Sequence, residues 1–372
     1  MADNKIKALI AETFLEVADA LETGQYGKKP VIGFASEGSE HGEENIKRAM
    51  ELAASKGIDA RLIEGEDVHK KMEAMLDSGE IDATVTMHYP FPIGVSTVGK
   101  VITPGKGKAM YIATTTGTSD TDRIAGMVKN AIYGIIAAKA DGVANPTVGI
   151  ANIDGARQTE KALLKLKEQG YDINFAESAR ADGGIVMRGN DLLAGTPDIM
   201  VMDSLTGNLM MKIFAASTTG GSYESLGWGY GPGIGDGYDK LVMIVPRASG
   251  APVIAGAMEY ATNLVKNNWK EISKNEFAKA KKAGYDAIIE ELKNAGKKEA
   301  APAAAVAAPP KEPCTAQIPG IEVMDLEDAV QALWKAGIYA ESGMGCTGPI
   351  VLMAADKKEK SLEILKAAGF VG

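Results

Sequence analysis

Apolar side chains recur at helical spacing over residues 5–22, at Ile6, Leu9, Ile10, Phe14, Leu15, Val17, Ala18 and Leu21. This spacing predicts an amphipathic helix packed on a partner. A short apolar run, Pro30 to Ala35, then reads as a buried strand, and a strand–helix rhythm follows. Helices are expected near 43–56, 67–78, 120–140 and 155–169, and strands near 59–63, 82–87, 109–114 and 147–151. A second stretch opens at Ile173–Ala176. It predicts strands at 197–202 and 241–245 and helices at 207–216, 252–267 and 274–295. Alternation of this kind marks an α/β body with a largely parallel sheet.

The pattern breaks at 299–313, where alanine and proline replace large apolar residues. Prolines prevent a continuous helix there, so the segment is expected to be an extended, semi-rigid linker. At about 3.1 Å per residue it could reach about 45 Å. Residues 314–372 form a last short pattern: a helix at 326–335, strand signals at 338–340 and 349–355, and a helix at 357–368. The expected division is therefore a body at 1–298, the linker at 299–313, and a small α/β module at 314–372.

Composition sharpens this picture mainly by exclusion. The chain has 372 residues, with 2 cysteines, 3 histidines and a net charge of −9. Two distant cysteines exclude a disulfide framework and a four-cysteine zinc site. The acidic balance argues against nucleic acid, whose phosphates need clustered Lys and Arg. No apolar run is long enough to cross a membrane. With no apolar signal region at the start, the expectation is a cytoplasmic protein without metal or tightly bound cofactor. His41, His69 and His88 have no metal-ligand spacing. His88 follows an apolar run and reads either as a cleft residue or as a turn histidine.

Several glycine-rich segments invite chemical readings. Gly229, Gly231, Gly233, Gly235 and Gly237 alternate, but they match no dinucleotide fingerprint or Walker A loop, and Gly105–Lys108 fails the same test. The ladder reads as a flexible loop, near a site or on the plain surface. Cys346 stands in Ser342-Gly-Met-Gly-Cys-Thr-Gly-Pro349. It is either a small residue in a tight turn or a thiol beside backbone N–H donors; the tether favours a mobile acyl carrier. Cys314, at the linker's end, has no such cradle. Asp203-Ser-Leu-Thr-Gly-Asn208 and Pro246-Arg-Ala-Ser-Gly250 each lie between a strand and a helix. They are ordinary caps or an anion site in which Thr206, Gly207, Asn208, Arg247 and Ser249 hold phosphate.

The segment from Val201 to Lys212, with its Asp-x-x-x-Gly-Asn-x-x-x-Lys pattern, resembles phosphate acetyltransferases and PlsX-type phosphate acyltransferases. The resemblance covers about residues 30–295. It implies a two-lobed, isocitrate dehydrogenase-like α/β body with the active site between lobes. Pro246 departs from the acetyltransferase pattern, which carries serine there. The run Glu341 to Pro349 resembles the thiol loop of the component C alpha-subunit family of glycine (sarcosine/betaine) reductase complexes. That resemblance implies Cys346 as the acetyl-bearing residue and inorganic phosphate as the acceptor. It also implies partners: the beta subunit of component C and the selenoprotein component A, in a hetero-oligomer. Two other functions stay open on the residues alone, a free-standing phosphotransacetylase and a non-catalytic subunit that senses acyl phosphates.

Overall fold

The structure is a computed structural model describing residues 29–180, 183–298, 306–321, 325–345 and 348–371, with scattered positions between 6 and 21. Cys346, residues 299–305 of the expected linker and eight of the eighteen residues of the expected helix 5–22 lie outside the described residues. The described positions of that helix are helical, but Ile6, Ile10, Phe14, Leu15 and Leu21 are exposed rather than packed.

In chain order the elements are β1 (Val31–Ala35), α1 (Gly42–Ser55), β2 (Asp59–Ile63), α2 (Val68–Ser78), β3 (Ala83–Thr86), β4 (Val95–Ile102) and β5 (Ala109–Thr118). There follow α3 (Arg123–Ala140), β6 (Thr147–Ala151), α4 (Ala156–Glu168), β7 (Asn174–Phe175), β8 (Val186–Met187), α5 (Gly189–Ala194), β9 (Ile199–Val201) and α6 (Ser204–Ala215). The body closes with β10 (Gly231–Ile234), β11 (Val242–Ile244), α7 (Ala251–Lys266), α8 (Trp269–Lys282) and α9 (Tyr285–Lys298). The last residues add β12 (Ala316–Pro319), α10 (Leu326–Lys335), β13 (Ala340–Gly345), β14 (Gly348–Met353) and α11 (Lys358–Ala367).

One sheet runs through the whole body in the order β2-β1-β3-β11-β10-β4-β5-β9-β6-β7, with β8 also on β6. It is parallel within β2-β1-β3-β11 and within β5-β9-β6. Between these groups β11, β10, β4 and β5 are joined by three antiparallel steps. The two parallel groups therefore run in opposite directions. This is the α/β fold expected, with a parallel-rich sheet.

Period-two alternation sends successive strand side chains to opposite faces. Ile32 and Phe34 join one core with α1, α3, α4 and α7–α9, while Val31 and Ala35 join the other with α2 and α6. Each fully buried side chain of this size contributes roughly 1.5–3 kcal/mol.

Three differences from the sequence reading have physical causes. The glycine ladder is not a flexible loop: Gly231–Ile234 is a buried strand at the centre of the sheet. Its glycines admit close neighbours, since a Cβ at Gly231 would lie 1.8 Å from the Val98 carbonyl oxygen and one at Gly233 2.4 Å from the Phe91 ring. The segment β4 carries Ser96 and Thr97, polar residues that hide it from an apolar pattern. Both are fully buried, and their hydroxyls pair with Ser119 at 2.6 Å and Thr115 at 2.8 Å. The expected helix 274–295 is two helices, broken at Gly284, whose φ of +85° favours glycine.

The C-terminal residues build a core of their own from Ile318, Val330, Leu333, Val351, Met353 and Leu365, among others. Its three strands run β12-β14-β13, all antiparallel. Lys311 reaches Glu341 at 3.1 Å and Lys357 pairs with Glu312, so residues just before Cys314 are tied to this module. It meets the body on α4, where Gln158 donates to Asp325 at 3.1 Å and Lys161 to the Gly369 carbonyl.

Candidate functional site

Asp203 is the N-cap of α6, and its carboxylate accepts from the Leu205 and Thr206 amides at 3.1 and 3.0 Å. The Thr206 hydroxyl donates to the same carboxylate at 2.7 Å, and Arg123 bridges it to Asp154. Burial alone would raise the pKa of Asp203, but the Thr206 donors and Arg123 outweigh it and hold the carboxyl below the usual carboxylate value. The helix start is thus capped from within: a protein carboxylate stands where an anion was expected. A depressed folded pKa contributes stability above the ordinary carboxylate range, lost as pH falls through the folded value. Asp203→Asn keeps a capping oxygen but loses the ion pairing with Arg123. It is expected to destabilise by about 1 kcal/mol at pH 7, a difference that shrinks as pH falls below about 4. Urea unfolding at several pH values checks this.

Gly207 is buried against β5, where a Cβ would lie 1.8 Å from the Thr114 carbonyl oxygen. Asn208 donates its side-chain amide to the Thr115 carbonyl at 3.1 Å. These two residues seat α6 on the sheet. Thr206 lines a methionine-rich hollow with Met187, Arg188, Met200, Met202 and Met210.

Arg247 and Ser249 lie elsewhere, because β9 and β11 run in opposite directions. The loop 246–250 is clamped residue by residue. Glu40 N–H donates to the Arg247 carbonyl at 2.9 Å, His41 Nε2 bonds the Ala248 carbonyl at 3.0 Å, and Asn45 donates to the Ser249 carbonyl at 3.1 Å. The Asn45 side-chain oxygen in turn accepts from the Ala251 N–H at 2.7 Å. The Arg247 side chain is exposed beside Gly38, where a Cβ would come within 3.2 Å of its Nε.

The later turns of α6 return to this loop. Lys212 Nζ donates to Glu224 Oε1 at 3.1 Å, and the Ser249 hydroxyl donates to Glu224 Oε2 at 3.2 Å. Lys212, Ile213, Ala216, Tyr223, Glu224 and Ala248 all line one open hollow of about 490 Å³. Burial lowers the pKa of Lys212, but the Glu224 charge and Tyr230 outweigh it and leave the ammonium form favoured. The protonated Lys212 amine gives this hollow a positive wall.

Of the expected site residues, Arg247 and Ser249 come together on this loop, Asn208 reaches the same Tyr230 as Lys212 one turn along α6, Thr206 and Gly207 lie apart, and Cys346 lies outside the described residues. Lys212, Glu224, Asn45 and His41 were not singled out from sequence. Only Lys212 carried a signal, as the last residue of the Asp-x-x-x-Gly-Asn-x-x-x-Lys pattern. Among the described residues there is no cluster of His, Cys, Asp and Glu that could hold a metal, and no helix long and apolar enough to cross a membrane.

In its sequence the chain is related to the phosphate acyltransferases. The family described as "Fatty acid synthesis protein" matches residues 17–352. The chain is 25% identical over 239 residues to a phosphate acyltransferase of Bacillus licheniformis, covering 56% of this chain and 67% of that one. A phosphate acyltransferase of Phenylobacterium zucineum is 33% identical over 104 residues, 24% of this chain and 27% of the relative. The chain is also 57% identical over 382 residues to the glycine/sarcosine/betaine reductase complex component C subunit alpha of Peptoclostridium acidaminophilum, covering 98% of this chain and 99% of that one. It belongs to the family of component C alpha subunits, which is related to the phosphate acyltransferases.

Proposed function

We propose that this chain accepts an acetyl group as a thioester on Cys346 and passes it to inorganic phosphate, releasing acetyl phosphate. A phosphate oxygen attacks the thioester carbonyl carbon, the carbon–sulfur bond breaks, and Cys346 leaves as thiolate. Arg247 offers a planar fork to phosphate and Lys212 a point charge. Charge develops on the carbonyl oxygen during attack, and fixed donors aimed at it lower the barrier. Phosphate is already ionised near pH 7, so no strong general base is needed, in keeping with the scarcity of histidine.

The observation that carries this reading is the Lys212–Glu224–Ser249 link, which sets a cation against the Arg247 loop beside an open hollow. The module at 314–372 would bring the thiol to two stations on the linker 299–313. The name of the component C relative places that protein in a reductase complex. For this chain the corresponding partners are the beta subunit of component C and the selenoprotein component A, the latter as the source of the two-carbon unit.

The test runs in reverse. Acetyl phosphate incubated with the assembled complex should acetylate Cys346, as read by peptide mass spectrometry. Acetyl on Cys314 instead would sink the assignment. Arg247→Ala should raise the phosphate concentration for half-maximal turnover by on the order of tenfold or more, with Cys346 acylation intact. Unchanged phosphate kinetics would remove Arg247 from the site.

A further inference from the structure

Glu224 is 4% exposed and sits in none of the segments that pointed to phosphate, yet both its carboxylate oxygens are engaged across them. One accepts from Lys212 on α6 and the other from Ser249 on the loop 246–250. Its backbone is committed to the same loop. The Glu224 carbonyl accepts from the Gly250 N–H at 2.9 Å, and residues 224 and 249 form a parallel bridge. A buried carboxylate held by two side chains, on a backbone tied to the same loop, has little freedom to move, and losing one partner leaves a buried polar group unsatisfied.

We infer that Glu224 is the positioning residue of the site: it holds the Lys212 ammonium in register with the Arg247 loop as that amine's carboxylate partner. This rests on the acetyl-transfer reading above only for its kinetic arm. The electrostatics follow from the surroundings of Lys212. On α6 itself there is no other charged residue. From the segment before β10 it faces Glu224 and the Tyr230 ring, the latter at 6.0 Å, and the loop 246–250 reaches it through the Ser249 hydroxyl on Glu224. Glu224 is thus the carboxylate that offsets partial burial of the amine. Without its charge, burial favours the neutral amine, with Tyr230 left to oppose it.

Competitive labelling with a trace of acetic anhydride tests this independently of turnover. Only the unprotonated amine reacts, so the labelling of Lys212 against pH, read by peptide mass spectrometry on the full chain, gives its titration midpoint. Glu224→Gln, nearly equal in shape, is expected to lower that midpoint by about one pH unit or more. An unchanged midpoint in a variant whose melting shows it is folded overturns the inference. In phosphate-dependent release of acetyl from pre-acetylated protein, the alkaline limb of the rate should move down by the same interval. If the native protein releases no acetyl to phosphate, the acetyl-transfer reading fails while the labelling still decides the role of Glu224. Should Glu224→Gln not fold, Ser249→Ala removes one tie without touching the charge. It should leave the Lys212 midpoint in place and raise the phosphate half-saturation several-fold with maximal rate retained. No change in half-saturation would overturn the register role.

Discussion

Replacing Cys346 by serine is expected to abolish acetylation of the chain by acetyl phosphate and to reduce phosphate-dependent turnover by on the order of a thousandfold or more. The thiolate is the reactive form of cysteine, whereas a serine hydroxyl is un-ionised near pH 7. Cys314 cannot substitute readily. Burial and the neighbouring Glu341 and Glu312 carboxylates raise its pKa and disfavour its thiolate, so Cys314→Ser should change neither readout. Mass spectrometry of acetylated peptides and an acetyl phosphate assay read both variants. A chain ended at residue 298 should be as inactive as Cys346→Ser; full activity there would point instead to a free-standing enzyme using coenzyme A.

The second large effect is on stability. Gly231→Ala should prevent folding of the body or destabilise it by several kcal/mol, because two costs coincide. Its φ of +83° lies in the left-handed region, and a Cβ there would lie 1.8 Å from the Val98 carbonyl oxygen. That atom belongs to the backbone of β4, so no side-chain rotation relieves the clash. Denaturant unfolding against Gly237→Ala makes the comparison. Gly237 has a similar φ of +76° with nothing within 4 Å of its Cβ, and should lose only about 1 kcal/mol. Equal losses would show that strain, not contact, dominates.

The parallel strands β1, β3, β6 and β11 were legible because buried parallel strands are short apolar runs between glycines and helical stretches. Those at the join of the two groups were not. The strand β10 is Gly-Pro-Gly-Ile, which reads as a loop until its neighbours are known. The strand β4 buries hydroxyls whose partners sit on β5 and are invisible to periodicity. The site was legible to the same degree. Arg247 and Ser249 stood out by their place between a strand and a helix. Thr206 and Gly207 stood out for the same reason, but an internal cap and a close helix–strand contact explain them. Glu224 lies 12 residues from Lys212 and 25 from Ser249, and nothing local in Gly-Gly-Ser-Tyr-Glu-Ser announces that it joins them.

The three antiparallel steps at the centre of the sheet have a mechanical consequence. Because hydrogen-bonded strands run without interruption from β2 to β7, one half of the body cannot swing against the other as on a hinge without tearing ladder bonds, each worth about 1 kcal/mol net. Domain closure, the common way to shut water out of an active site, is therefore expensive for this body. Its walls behave as a fixed dock, and travel during a reaction cycle falls to whatever is tethered or bound outside it.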